Sequence, residues 1–156
     1  MATKYSDIYN RAMFRFTDYG FLDVYEDRRD EIMRNFLKAA QVEFANSCTE
    51  INDYNDENEE FNSDLSDEVQ EILALGVAYQ WLSQKTLNSE LLRNSMIRKD
   101  YNTYSPANLL KEMRTLRDDI YTEYRGKINE YSFRHGGIDK LKVGSNWYEK
   151  YFNIFN

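Results

Sequence analysis

Apolar residues recur at helical spacing along most of the chain, and the places where the spacing lapses divide it into segments. Ile8, Ala12 and Phe16 step by four behind Ser6, which can cap a first turn, so a first helix is expected from Ser6 to about Gly20. From about Asp23, Ile32, Phe36, Leu37, Ala40 and Phe44 form one stripe while Arg28, Arg29, Asp30, Glu31 and Arg34 fill other faces, predicting a second helix that reaches about Ala45. Ser66 offers the cap of a third helix, with Asp67 and Glu68 against its positive end. Inside that helix, Ile72-Leu73-Ala74-Leu75-Gly76-Val77-Ala78-Tyr79-Gln80-Trp81-Leu82 has only Gln80 as an obviously polar residue. Such a segment is covered on most sides, and Gly76 with its two alanines lets neighbouring helices approach closely.

Asn88 or Ser89 reads as the cap of a short fourth helix through Leu91, Leu92 and Met96, ending near Lys99, with a turn over 100–104. Ser105-Pro106 is then a start signal, since Ser caps and Pro suits the first helical position. Leu109, Met113, Leu116, Ile120, Tyr124, Ile128 and Tyr131 step by three or four through a long amphipathic helix. Gly126 is its weak point and Gly136-Gly137 its terminator. Beyond, Lys140-Leu141-Lys142-Val143 alternates like a short strand, and Trp147, Tyr148, Tyr151, Phe152, Ile154 and Phe155 crowd the last ten residues. The expected architecture is all-α: a helical bundle of four to five helices over residues 1–135 with a long C-terminal helix, and an extended C-terminal arm over 136–156. One Pro and six Gly in 156 residues are too few for a many-turned β sandwich.

A chain of 156 residues with 42% hydrophobic and 30% charged content has the size and make-up of one folded domain. Its single Cys, Cys48, excludes an intramolecular disulfide and any multi-cysteine metal site, and fits a reducing compartment. The first residues carry no basic-then-apolar signal pattern and no apolar run has bilayer length, so neither secretion nor membrane insertion is expected.

Charge changes the picture more than composition does. The formal net charge is −7, but residues 1–38 are balanced, residues 39–84 hold eleven acids and no Lys or Arg, and residues 85–156 carry a net +4. Nucleic-acid binding rests on cations that release phosphate counterions, so an acid-only middle third argues against gripping DNA, while it suits a surface that repels it. Between Asn46 and Asp64 the acids and asparagines are so dense that an exposed mobile loop is expected.

Chemistry is sparse. Arg134-His135-Gly136-Gly137 has the look of an oxyanion segment, but no Gly-x-Ser-x-Gly elbow accompanies it, and a helix C-terminal His beside a glycine terminator explains it. No Glu-x-x-His pair supports a di-iron site, no phosphate-cradling glycine loop is present, and 27 acids supply carboxylate pairs by chance. Set on the calcium-loop template from Asp53, the acidic stretch has Asn58 where Gly is needed and Asp64 where a bidentate Glu belongs. No catalytic residue, cofactor or metal is therefore assigned.

One resemblance stands out. Asp67-Glu68-Val69-Gln70-Glu71-Ile72-Leu73-Ala74-Leu75-Gly76, then Trp81-Leu82 and Leu87-Asn88-Ser89-Glu90-Leu91-Leu92, then Tyr104-Ser105-Pro106-Ala107-Asn108-Leu109-Leu110, resembles the head-tail adaptor (connector) proteins of tailed bacteriophages. The similarity covers roughly Leu65 to Phe133 and is one of phrase and helix order. It implies a non-enzymatic structural protein of the virion neck, assembled in the host cytoplasm as a ring, a dodecamer, beneath the portal protein. Such a ring would extend the DNA channel, let DNA pass without specific binding and seat the stopper or tail proteins. Interface candidates are then Leu141, Val143, Trp147, Tyr148, Tyr151, Phe152, Ile154 and Phe155. Asp53, Asp56, Glu57, Glu59 and Glu60 would line the channel or meet the +4 segment of an adjacent subunit. The alternative is a small helical phage-encoded regulatory or host-factor-binding module without enzymatic activity.

Overall fold

The computed structural model describes residues 2–15, 26–96 and 106–135. Four helices account for most of them, α1 (Tyr5–Met13), α2 (Glu26–Phe44), α3 (Asp67–Met96) and α4 (Pro106–His135), and 76% of the described residues are helical. Side-chain pairs fix their directions. Tyr5 meets Lys38 and Tyr9 meets Arg34, so α1 and α2 run antiparallel. Arg11 meets Asp67 and Arg15 meets Glu71, so α1 and α3 run parallel. Arg134 pairs with Glu68 and Tyr121 lies against Tyr79, so α3 and α4 are antiparallel. Each of α1, α2 and α4 packs on α3, giving an all-α up-down-up-down bundle around a central helix.

That central role follows from composition. Residues 72–78 are buried without interruption, as expected for a segment with almost no polar residue. Ser66 caps the helix as anticipated: its Oγ accepts from the Val69 amide at 3.4 Å, and its carbonyl accepts from Gln70. Gly76 is where three helices converge. A Cβ there would lie 2.5 Å from the Cβ of Ala40 and 2.9 Å from Cζ of Tyr124, so α2 and α4 approach α3 only because none is present. The buried Tyr124 hydroxyl donates to the Ala40 carbonyl at 2.7 Å across the same junction.

Four sequence expectations need correction. The third helix and the short fourth are one helix, α3, with 30 residues. Asn88 lies exposed inside it, and the Thr86 hydroxyl bonds back to the Leu82 carbonyl at 2.8 Å, so hydrogen-bonding side chains are accommodated without ending the ladder. The first helix begins at Tyr5, ahead of Ser6, and Lys4 before it makes no side-chain cap. Here the chain enters the helix directly from a strand, which holds its backbone in place of a cap. Leu116, read as part of the apolar stripe of α4, is 53% exposed, while Leu110 is buried.

The fourth correction concerns the acidic stretch. Residues 46–64 are a folded unit: a 3₁₀ turn (Glu50–Asn52) leads into a hairpin of β2 (Tyr54–Asn55) and β3 (Glu60–Phe61). The N-terminal strand β1 (Thr3–Lys4) adds antiparallel to β3, pairing Thr3 with Phe61 and Lys4 with Glu60, for a sheet order β1-β3-β2. Ile51, Phe61 and Leu65 explain why it folds, since all three are buried in the same core as Tyr5, Ile8 and Phe44. Their burial offsets the cost of ordering a polar segment.

Candidate functional site

The five acidic candidates fall on one element, the hairpin and its flanks, and the structure gives each a local environment. Asp56 is 2.6 Å from Lys38 Nζ and accepts from the Tyr5 hydroxyl at 2.9 Å. These contacts hold its carboxyl below the ordinary carboxylate range, the Lys38 hydrogen bond contributing most. Glu59 pairs with Arg34 and sits in left-handed backbone at φ 54°, while its carbonyl accepts from the Tyr5 amide at 2.9 Å. Asp53 accepts from Asn62 Nδ2 at 2.5 Å, and Glu60 from Asn58 Nδ2 at 3.3 Å. Glu57 is exposed, its amide donating to Asn55 Oδ1 at 2.9 Å within the turn.

Opposite the hairpin stand residues that pattern alone did not single out. Lys38 also lies 3.3 Å from the Tyr54 ring centroid, a cation–π contact that seats β2. Tyr5 is fully buried edge-on to Phe61, and burial is the main reason its hydroxyl titrates above the usual tyrosine range. Tyr9, beside Arg34 and Asp30, is pushed up to about 12, again chiefly by burial. Thr3 Oγ1 accepts from the Leu65 amide at 2.8 Å, and Gln41 Nε2 donates to the Ile51 carbonyl at 2.6 Å. Gln41 was visible in principle, because it falls one helical turn from Leu37 on a buried face; nothing in the local sequence marks Thr3.

Cys48 and His135 both make contacts with Tyr131. Cys48 is buried and its sulfur receives the Tyr131 hydroxyl at 3.5 Å. His135 Nδ1 lies 3.0 Å from the Tyr131 carbonyl and its ring stacks on Tyr131 at 4.1 Å, the place expected for a helix C-terminal histidine. Asn108, Lys111, Glu112, Thr115, Leu116 and Asp119 of α4 line an open concavity of about 440 Å³. No group of three or more His, Cys, Asp or Glu side chains among the described residues is placed to hold a metal ion. Leu141, Val143, Trp147, Tyr148, Tyr151, Phe152, Ile154 and Phe155 lie outside the described residues.

The chain matches no protein-family model, no curated protein and no solved structure. Its site must therefore be argued from its own geometry. That geometry is one of fastening: acids of the middle segment are met by bases of the same chain. Besides Asp56 and Glu59, Asp67 pairs with Arg11, Glu71 with Arg15, and Glu68 with Arg134. The arrangement binds elements of the subunit together.

Proposed function

We propose that this protein is a head-tail adaptor of a tailed bacteriophage, a structural ring subunit of the virion neck that joins the portal protein to the stopper or tail proteins. One observation carries the reading. Of the phrases that resemble the adaptor family, Asp67–Gly76 opens the 30-residue helix α3 and the 106–110 part of Tyr104–Leu110 opens the 30-residue helix α4, and the two helices pack antiparallel as the core pair of the bundle. A bundle of this kind is a rigid block from which a terminal segment can reach a neighbour. The net charge of −7 disfavours adhesion of the DNA that the ring would let through.

The test is co-expression of the full chain with the portal protein of the same genome, followed by mass measurement of the purified particle and proteomics of purified virions. A dodecameric ring of this chain on the portal, and its presence in virions at matching stoichiometry, are expected. A chain that ignores the portal and is missing from virions overturns the proposal, and its recovery as a monomer or dimer on a host protein would favour the regulatory alternative.

A further inference from the structure

The β2–β3 hairpin is held in two different ways at its two ends. At the base, Ile51 and Phe61 are fully buried and Gln41 ties down the Ile51 carbonyl. At the turn, none of residues 55–59 is buried. That end is held by charge: Asp56 on Lys38 and the Tyr5 hydroxyl, and Glu59 on Arg34. The groups facing Asp56 are Lys38 and Arg34 on α2 and Tyr5 and Tyr9 on α1, and Tyr54 on β2 in turn acts on Tyr5. Glu59 meanwhile occupies a left-handed conformation that residues with a side chain adopt at a cost. A strained turn with no apolar anchor, fastened through half-exposed ion pairs, has the low local opening energy from which moving parts of proteins are drawn.

We propose that Asn55–Glu59 is a charge-fastened flap, lifting from α1 and α2 as a unit while Ile51 and Phe61 stay seated and thereby uncovering Arg34 and Lys38. The inference is independent of the adaptor reading. Its carboxylates cover two cations one helical turn apart on α2, so the closed flap is an internal occupant of a cationic surface.

Backbone amides distinguish the two ends. The Tyr5 amide donates to the Glu59 carbonyl within the flap, the Asn62 amide donates to Asp53 at the base, and Val77 lies in the buried run of α3. In hydrogen exchange on the full chain at neutral pH, the Tyr5 amide should open more readily than those of Asn62 and Val77, and the paired substitution Asp56→Asn and Glu59→Gln should speed exchange at Tyr5 by about tenfold. The opposite pair, Arg34→Met and Lys38→Met, should do the same, and so should raised salt on the unsubstituted chain. Unchanged exchange at Tyr5 in both pairs would overturn the flap. Equal protection of Tyr5, Asn62 and Val77 in the unsubstituted chain would also overturn it, because the turn would then open only with the whole bundle.

Discussion

Placing a methyl group at residue 76 tests the geometry on which the bundle depends. In an exposed helix Gly→Ala gains about 1 kcal/mol, because Gly loses more backbone freedom on folding. At Gly76 the new Cβ would stand 2.5 Å from Ala40 Cβ, 2.9 Å from Tyr124 Cζ and 3.0 Å from its hydroxyl oxygen. Ala40 Cβ is fixed to its backbone and cannot swing away, so α2 and α3 must part, and Tyr124 must shift as well. Parting costs about 1–3 kcal/mol of overpacking. Displacing Tyr124 breaks its buried 2.7 Å bond to the Ala40 carbonyl. That loss adds about 1–3 kcal/mol for two polar groups left without partners. After the helix-propensity gain, Gly76→Ala should destabilise the protein by about 1–5 kcal/mol, with a centre near 3. Urea unfolding followed by circular dichroism measures it. Gly126→Ala is the control, since a Cβ there meets nothing within 4 Å, and it should stabilise by up to about 1 kcal/mol. If Gly76→Ala proves as stable as Gly126→Ala, the three-helix junction is not closely packed and the arrangement of α2 and α4 on α3 is wrong.

Other consequences are open to measurement. Thr3→Val should cost about 1–3 kcal/mol by orphaning the buried Leu65 amide, and an unchanged urea midpoint would show that β1 does not seat as described. Burial holds Tyr5, Tyr124 and Tyr131 above the ordinary tyrosine value of 10.0 and pushes Tyr9 up to about 12, whereas in the unfolded chain they ionise near 10.0. Stability is then complete below pH 10.0 and lost as pH rises beyond it, so the buried tyrosinates should appear together with loss of helix; ionisation of all 13 tyrosines before any helix is lost refutes this. A chain ending at Gly137 should keep its bundle, because the buried residues described run from Thr3 to Tyr131, and on the adaptor proposal it should fail to join a portal particle. A much lower melting temperature for that chain would instead place residues 138–156 in its own core.

Periodicity exposed the helices because helix burial repeats in the sequence itself. Ile8 and Ala12, Leu37, Ala40 and Phe44, the 72–78 run, and Tyr124, Ile128 and Tyr131 are all buried on the faces their spacing predicted. The sheet was hidden for a physical reason. Its strands are two residues long, too short to show alternation, and its base is set by Ile51 and Phe61, two apolar side chains isolated in an acidic stretch. What turns that stretch into structure is contact with residues 51 and 62 positions away, Tyr5 on Asp56 and Thr3 on Leu65, and no local pattern encodes it.

Charge segregation, read from the sequence as a device for joining copies, has a different use within the subunit. At least five of the eleven acids between 39 and 84 are matched inside the chain, four of them by bases of the balanced first segment and one by Arg134. Each half-exposed pair contributes little alone, about 0–1 kcal/mol. Together they determine which helix lies beside which, since Arg11 and Arg15 advance along α3 in step with Asp67 and Glu71, a pattern that a reversed α1 would break. In the proposed ring, charge between copies would then be left to the acids outside these pairs. Assembly driven by Trp147 and the aromatic residues after it should therefore weaken only modestly with salt, while assembly driven by charge should collapse. Sedimentation of the portal-bound particle across a salt series separates the two, and loss of the ring at moderate salt would count against the aromatic arm as its main support.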